Sequence, residues 1–401
     1  MIIQFTLENF KSFRHAATFS MQPVERLREH PENIAQVGKH KLLRTAAIYG
    51  ANASGKSNLL KGMMGMIGFI LKSFPNQNNE TFVEPFLLSK ETTSKPTLCE
   101  LVFFVEDVTY RYGFTATKDR IHTEWLYRTK LKEKVLFTRD ENSIQCSDEF
   151  HEGKPFVKTI ENNSLFLSLL IHLKGEHSRK IADYLNAIGR SNGKLYVNND
   201  GIYFTEDKNL FQKTKQMLSK FDVGIQDIQF VKDENKSIDL RFVHLQSGNA
   251  KESNVLFKID QVSDGTLQLF QIIPSLQIAM ECGSPLIFDE LDLSLHPFIT
   301  NAIVNLFNSA ESNPKNAQLI FSAHDTGPLS HANLRRDQIW FTEKNLRQES
   351  VLYSLVEFKD GKVRSDGNYE KQYLEGRYGA IPNLSMLDEL EEEISKANPV
   401  S

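Results

Sequence analysis

"GANASGKS", Gly50 to Ser57, is the part of the sequence with the clearest structural meaning. Two glycines bracket four residues, and a lysine and a serine follow the second glycine directly. The preceding "TAAIYG" has the pattern of a short buried strand, and the following "KSNLLKGMMGMIGFIL" has that of a helix. A glycine loop between a strand and a helix is the setting in which proteins bind phosphate groups. The sequence therefore predicts a phosphate-binding loop here.

Each residue type in this loop suits one part of a nucleotide. Gly50 and Gly55 permit backbone angles at which successive N–H groups face a phosphate, and the helix N-terminus adds a positive dipole end. Lys56 would reach the β and γ phosphates, and the Ser57 hydroxyl would be a ligand for Mg²⁺. We therefore assign to nucleotide binding the residues Gly50, Asn52, Ala53, Ser54, Gly55, Lys56, Ser57 and Asn58.

Composition narrows the class of protein. The 401 residues are 40% hydrophobic with a formal net charge of −4, so we expect a large core and no globally basic nucleic-acid surface. Three widely spaced cysteines without metal-ligand spacing are typical of a reduced, cytoplasmic protein. The N-terminal "MIIQFTLENF" lacks signal-peptide features, and the longest apolar run, Met63 to Leu71, is too short to span a membrane. We expect a cytoplasmic protein without membrane contact.

Secondary-structure patterns divide the chain into four parts. Residues 1–150 predict an N-terminal lobe with the phosphate loop and an antiparallel β meander, and residues 151–235 predict a helical insertion. Residues 236–345 alternate helices with very apolar strands, which indicates a second nucleotide-binding lobe. Residues 346–401 predict short strands and then an acidic helix, which either packs on its own lobe or docks a basic partner. The apolar positions of that helix are Leu384, Leu387, Leu390 and Ile394.

A strand that ends in two carboxylates indicates hydrolysis. "PLIFDE" is a buried strand ending in Asp289 and Glu290. An Asp beside a phosphate loop completes the coordination of Mg²⁺, and a Glu directly after it suits a base that polarises an attacking water. His324 stands 35 residues beyond Asp289, just past the apolar strand of "LIFSAHD". At the end of a third parallel strand, a histidine can sense the γ phosphate and hold that water.

A second anion site is predicted in "QVSDGTLQLF", where Ser263 stands 26 residues before Asp289. Ser263, Asp264, Gly265 and Thr266 open a helix, and a serine hydroxyl with a glycine amide at a helix N-terminus binds anions. One chain does not need two sites for one γ phosphate. Two chains placed head to tail do, because each can cap the nucleotide that the other holds.

The chain resembles an ABC-type ATPase of the soluble branch that includes the SMC, RecF and OLD proteins. The resemblance rests on the order and spacing of four motifs: the phosphate loop, "VSDGT", "LIFDE" and "SAHD". More narrowly, the chain resembles the AbiL/RloA-like ATP-binding proteins of abortive infection and restriction, through "MIIQFTLENFKSF", "YRYGFTAT", "IHTEWLYR", "QIWFTEK" and "YLEGRYGAIPNL". The resemblance implies an α/β fold. It is that of an ABC-type P-loop ATPase head with a mixed β-sheet lobe, a parallel RecA-like core and a compact helical insertion.

The same resemblance implies ATP and Mg²⁺ as ligands and one role for each motif. The implied roles are phosphate and Mg²⁺ binding by Lys56 and Ser57, the metal carboxylate Asp289, the catalytic base Glu290, the switch histidine His324, and the trans-acting pair Ser263 and Gly265.

Two positions depart from the usual pattern of this ATPase class. Members of this class usually have a glutamine between the phosphate loop and the signature motif, which here is "VSDGT", and this glutamine links Mg²⁺ to the insertion. In this sequence only Gln77, in a polar loop, is a weak candidate. "LDLSLHP" carries His296 where many members have an aspartate. Communication between two chains is therefore expected to differ from that in transporters.

Two classes of function remain open. The first is an ATPase that senses or regulates in an antiphage system of abortive-infection or restriction type: ATP closes a homodimer or higher homo-oligomer, and a separate nuclease or toxin is the effector. The second is a DNA-repair ATPase of RecF or SMC type that binds DNA directly through the basic stretches Tyr127 to Lys134 or Lys208 to Lys220. DNA and a phage component are further candidate partners. The absence of an N-K-x-D motif argues against a GTPase.

Overall fold

The computed structural model describes residues 1–75, 81–141, 143–191, 208–221, 224–232, 238–245, 254–331, 334–358 and 367–382. Two predictions, the weak candidate Gln77 and the acidic helix near the C-terminus, lie outside the described residues.

A mixed, mostly parallel sheet carries the phosphate loop. Its strands lie in the spatial order Gly189–Ser191 (β11), Leu286–Phe288 (β15), Leu319–Ser322 (β16), Thr45–Tyr49 (β5), Ile339–Lys344 (β17) and Ser350–Ser354 (β18). Neighbouring strands run parallel except β17 and β18, which form an antiparallel hairpin. Every residue of β5, β15 and β16 is buried, as expected for strands covered on both faces. The predicted parallel core is confirmed.

A second, antiparallel sheet comes from the N-terminal part of the chain. Its strands lie in the order Ile144–Cys146 (β10), Glu133–Arg139 (β9), Ile121–Thr129 (β8), Val108–Ala116 (β7), Thr97–Val105 (β6), Ile2–Glu8 (β1) and Ala17–Ser20 (β2). Strands β6 to β10 are paired in chain order, so the predicted meander is confirmed. Along β7, Tyr110, Tyr112 and Phe114 are buried, while Thr109, Arg111 and Thr115 are partly exposed, which is the period-two pattern of a sheet with one core face.

Helices pack on these sheets. The described helices are Lys56–Lys72 (α1), Phe166–His172 (α2), Glu176–Ala187 (α3), Lys208–Leu218 (α4), Asp264–Cys282 (α5), Pro297–Asn308 (α6), Gly327–His331 (α7) and Tyr369–Leu374 (α8). The apolar run Met63 to Leu71 lies on α1, which buries Met63, Met66 and Ile70 in the core. None of the described helices is long and apolar enough to cross a membrane.

The two faces of the parallel sheet contribute to two different cores. Ile48, Ile287 and Ile320 pack with α1 and the antiparallel sheet. The neighbouring residues Phe288 and Phe321 point the other way and pack with α5 and α6. The phosphate loop therefore starts from a strand that is fixed from both sides.

Some local structure differs from the sequence expectations. Helices α2 and α3, from the range predicted as a helical insertion, share the core of α1 and the antiparallel sheet. The same range contains two unpredicted strands, β11 and Asp227–Lys232 (β12). Strand β11 has no strongly apolar residue, so its pattern could not reveal it. Strand β12 forms a small antiparallel sheet with Ile238–Leu245 (β13) and Asn254–Phe257 (β14).

Residues 21–43, which looked polar and irregular, also contain structure. They include an antiparallel hairpin of Ile34–Val37 (β3) and His40–Leu43 (β4). Four-residue strands are too short for alternation to distinguish them from loops.

A buried carboxylate joins the meander to α2. The Glu124 side chain is fully buried and accepts hydrogen bonds from the Tyr112 hydroxyl at 2.8 Å and from the backbone N–H groups of Phe166 and Leu167 at 2.8 and 2.9 Å. The guanidinium of Arg139 lies 3.6 Å away. Burial raises the pKa of Glu124, and Arg139 and the hydrogen bonds oppose that rise. Glu124 thus serves as the acceptor for the first amides of α2.

We expect Glu124→Ala to lower the free energy of unfolding by about 3–5 kcal/mol, because it leaves two helix amides buried without their acceptor and the buried Arg139 guanidinium without its counter-charge. The measurement is urea denaturation. Glu149→Ala is the control, since Glu149 is an exposed ion-pair partner of Arg128 on the same sheet and its loss should have a much smaller effect. Equal effects of the two substitutions would contradict this account.

Candidate functional site

The phosphate loop has the backbone that its glycines allow. Gly50 and Gly55 have φ angles of 150° and 126°, and Ala53 between them has a φ of 62°. A Cβ atom at Gly50 would lie 2.3 Å from the carbonyl oxygen of Thr342, and one at Gly55 would lie 2.5 Å from the Ser350 Oγ. No larger residue fits at either position, so the loop closes tightly over the ends of β17 and β18.

Hydroxyl groups fix the loop to its surroundings. The Ser54 Oγ lies 2.7 Å from the Thr342 Oγ1, and the Ser350 Oγ donates to the Ser54 carbonyl oxygen at 2.6 Å. The Ser350 Oγ also lies 2.7 Å from the Ser12 Oγ, which accepts from Asn58 Nδ2 at 2.8 Å. The side chains of Ser54 and Asn58, both predicted to bind nucleotide, therefore hold the loop in place.

Lys56 lies over the loop. Its Nζ donates to the carbonyl oxygens of Gly50 at 2.7 Å and Ala51 at 3.2 Å, and the residue is only 5% exposed. Burial lowers the pKa of Lys56, and the carboxylates of Glu290 and Asp289 oppose that shift. The ammonium group thus lies between the loop and the acidic strand.

One hydroxyl group organises the end of the acidic strand. Asp289 Oδ1 accepts from the Ser57 Oγ at 3.1 Å and from the Ser322 Oγ at 2.7 Å. The Ser322 Oγ in turn accepts from the backbone N–H of Glu290 at 2.8 Å. Glu290 has a φ of 58°, a left-handed conformation that is uncommon for a residue with a side chain and persists where its surroundings impose it.

The oxygen atoms of Ser57 and Asp289 fit a magnesium ion. Mg²⁺ in nucleotide sites is held by one or two protein oxygens together with the phosphates and water, and these two residues already lie within hydrogen-bond distance of each other. Within the described part of the chain, no three His, Cys, Asp or Glu side chains are arranged to hold a metal ion by themselves. The donor set therefore suits a metal that arrives with a nucleotide.

Glu290 and His324 lie next to each other, and both line the cavity at the phosphate loop. The His324 Nε2 lies 3.7 Å from Glu290 Oε1, and both side chains are partly exposed. The cavity has a volume of about 580 Å³ and is lined by residues 52–58, Glu290, His324 and Lys344. The structure thus brings together the loop, the acidic strand and the histidine that the sequence motifs predicted.

A second cavity adjoins the first. Its volume is about 770 Å³, and it shares Asn58 and Lys344 with the phosphate cavity. Its lining is mixed: apolar side chains such as Phe82, Leu87 and Leu88 lie beside the charged side chains of Lys11 and Lys118. The second cavity therefore offers both apolar surface and positive charge next to the phosphate loop.

The predicted signature residues lie outside the phosphate cavity of their own chain. Ser263 caps α5, because its Oγ accepts from the backbone N–H of Thr266 at 3.2 Å. A Cβ atom on Gly265 would lie 2.8 Å from the carbonyl oxygen of Ser294, so the signature packs on the loop that follows the acidic strand. Ser263 and Asp264 are exposed, and none of residues 263–266 lines the cavity.

Other residues of the site were not predicted. Ser322 was part of the "SAHD" motif, but it received no role because its contact with Asp289 depends on the pairing of β15 with β16. Lys344 lies at the end of β17. It is the last residue of "QIWFTEK", which supported the family resemblance, but no role was predicted for it. His296, noted as an unusual residue, caps α6 by accepting from the backbone N–H of Phe298 at 3.2 Å.

Two solved structures resemble this one in part. The SMC head domain from Thermotoga maritima is 13% identical, with a TM-score of 0.43, over 88% of this chain and 98% of that chain. An SMC head bound to the C-winged helix domain of ScpA is 15% identical, with a TM-score of 0.45, over 88% and 97%. Similarity at this level carries no information about activity or partners. No curated protein sequence matches the chain.

A family model covers most of the nucleotide-binding part of the chain. It matches residues 46–329, from strand β5 through the acidic strand to the segment after His324. The match supports the broad prediction of a P-loop ATPase domain, while the narrower resemblance to AbiL/RloA-like proteins stays a prediction. The chain belongs to the family described as "AAA domain, putative AbiEii toxin, Type IV TA system".

Proposed function

We propose that the chain binds ATP with Mg²⁺, hydrolyses it as one half of a head-to-tail homodimer, and thereby regulates a separate effector in antiphage defence. The observation that supports the enzymatic part is that Ser57, Glu290 and His324 line one cavity beside Lys56. Asp289 lies at its edge, hydrogen-bonded to Ser57. Family membership supports a nucleotide-binding role.

Each residue of the site has a task in this proposal. Lys56 and the loop amides bind the β and γ phosphates, while Ser57 and Asp289 hold the metal. Bound Mg²⁺ supplies positive charge that stabilises the charge developing on the phosphate oxygens. Glu290 accepts a proton from the attacking water, and His324 orients that water toward the γ phosphate.

The adjoining cavity accommodates the rest of the nucleotide. Its apolar side chains, among them Phe82, suit a base, and Lys344 lies where the two cavities meet. A nucleoside triphosphate has the same division into an apolar ring and an anionic chain, so its orientation follows from the position of the phosphate loop.

The dimer is proposed because, in the described part of the chain, the signature residues 263–266 do not line the phosphate cavity. Ser263 and Asp264, at the N-terminus of α5, are exposed. A second chain, placed head to tail, would bring this anion site to the γ phosphate. ATP would then hold the two chains together until it is hydrolysed.

The family description, which names a putative toxin of a toxin–antitoxin system, supports a place in such a system; control of a separate effector is our proposal beyond it. The alternative, direct binding to DNA, has less support from the described charges. In the first basic stretch, Arg128 and Lys134 both pair with Glu149, and in the second, Lys213 pairs with Glu281. These pairs reduce the positive charge available to phosphates.

We expect Glu290→Gln to bind ATP and remain a closed dimer, because the amide keeps the shape of the side chain and loses the base. The hydrolysis rate should fall by about 10²–10⁴. Phosphate release and light scattering measure the two effects, and Glu311→Gln, an exposed glutamate, is the control. A normal rate in Glu290→Gln would show that the base is another residue.

We expect Lys56→Ala and Ser263→Arg each to abolish hydrolysis, the first by preventing ATP binding and the second without preventing it. Mixing the two variants should restore up to about half of the wild-type rate per heterodimer, because each heterodimer has one intact composite site. Absence of rescue, together with a monomeric ATP-bound protein in light scattering, would contradict the dimer.

To test for the effector, a tagged chain is expressed together with its neighbouring gene products and purified. We expect a second protein to be purified with it, and we expect the amount of that protein to differ between samples with ATP and samples without nucleotide. Lys56→Ala, which cannot bind ATP, is the control and should retain the same amount in both conditions. Recovery of the chain alone in every condition, with hydrolysis stimulated by DNA and lost at high salt, would favour the DNA-repair alternative.

A further inference from the structure

Asp292 connects the acidic strand to the backbone of the switch histidine. It stands three residues after Asp289, on the loop that follows β15. Its Oδ2 accepts from the backbone N–H of His324 at 2.8 Å and from that of Asp325 at 2.5 Å. Hydrogen bonds from two amides to one carboxylate oxygen are charge-assisted, and they are stronger than those between neutral groups.

We propose that Asp292 is a positioning residue for hydrolysis, which fixes the backbone at His324 so that the imidazole faces Glu290 and the γ phosphate; the inference rests on the proposed function. The direction of the His324 side chain follows from the orientation of its peptide group. The carboxylate of Asp292 fixes that orientation, and Asp292 lies on the same loop as Glu290. The positions of Glu290 and His324 relative to each other are therefore fixed.

The surrounding contacts support a local role. The backbone N–H of Leu291 donates to the carbonyl oxygen of Ser322 at 3.0 Å, so the acidic loop is already tied to the end of β16. Asp292 extends this connection by two residues, to the histidine itself. Asp292 does not line the phosphate cavity, so it has no contact with the substrate. Its charge also opposes the lowering of the Lys56 pKa by burial, and the comparison of Asp292→Asn with Asp292→Ala separates that effect from the hydrogen bonds to the histidine loop.

The far end of the histidine loop is held independently. The hydroxyl groups of Thr326 and Ser330 both donate to the carboxylate of Glu370 on α8. Removal of Asp292 therefore frees the backbone at His324 and leaves the rest of the loop attached. For this reason we expect an Asp292 variant to fold.

The first test compares Asp292→Ala with Asp292→Asn. The amide oxygen of asparagine can still accept from both backbone N–H groups, whereas alanine cannot. We expect Asp292→Ala to lower kcat by about 10–100-fold with KM changed by less than about threefold, since misplacement of a catalytic group affects the chemical step. Asp292→Asn should retain at least about a third of the wild-type kcat, and Asp183→Ala, exposed on α3, is the control.

A double-mutant cycle tests whether Asp292 acts through the histidine. If it does, Asp292→Ala should cause no further loss of rate in a protein that already carries His324→Ala. Additive losses would overturn the proposal. Equal losses in Asp292→Asn and Asp292→Ala would also overturn it, because they would assign the effect to the charge of Asp292.

Hydrogen exchange gives a readout that does not depend on hydrolysis. The amides of His324 and Asp325 should exchange faster in Asp292→Ala than in the wild type and Asp292→Asn, while the amides of α6 stay unchanged. Unchanged exchange at these two amides would overturn the inference even if the protein is an active ATPase. A wild-type protein that does not hydrolyse ATP but shows the expected exchange would instead refute the proposed function and retain the positioning contact.

Discussion

The parallel pairing of β5, β15 and β16 is the constraint on which the site depends. Parallel neighbours place their carboxyl ends at one edge of a sheet, so the phosphate loop, the acidic pair and the histidine loop all start from the same edge. The Ser322 hydroxyl then fixes the positions of the two acidic residues, because it donates to Asp289 and accepts from the backbone N–H of Glu290. A shift of register between β15 and β16 would separate these groups.

The charges around the cavity suit the metal-carrying nucleotide of the proposed function. Lys56 is largely buried, and burial lowers its pKa against the opposing effect of Glu290 and Asp289. In the proposed site, a triphosphate without a metal would meet the lysines Lys56 and Lys344 and also the carboxylates of Asp289 and Glu290. A divalent ion held by Ser57 and Asp289 would add positive charge next to the two carboxylates, so the proposed site needs both the loop lysine and the acidic strand.

The sequence was sufficient to predict the elements with strong patterns. The meander, the parallel core, the glycine loop and helix α1 followed from periodicity and from one motif, and the structure also brings Asp289, Glu290 and His324 to that loop. Their catalytic roles stay predictions. Short strands such as β11 and the β3–β4 hairpin were missed, because their three or four residues carry no distinguishable pattern.

The supporting contacts could not be predicted for a different physical reason. Ser322 and Asp292 act on residues that are remote in sequence, through hydrogen bonds that exist only once two strands and two loops are adjacent. The task proposed for Ser263 would depend on a second chain, so one protomer shows only its capping contact with the backbone N–H of Thr266. Sequence patterns therefore predict the helices and strands, whereas contacts such as those of Ser322 and Asp292 depend on how the strands of the parallel sheet are arranged.

The most direct test of the composite ATPase site is the hydrolysis rate per chain, measured as a function of chain concentration with mass determined by light scattering in the same samples. The account predicts that the hydrolysis rate per chain rises with concentration as monomers become ATP-bound dimers, and then reaches a plateau. It also predicts that hydrolysis requires Mg²⁺ at every concentration. Hydrolysis at full rate by a species that remains monomeric would contradict it, as would the absence of hydrolysis in a protein that binds ATP with Mg²⁺ and dimerises.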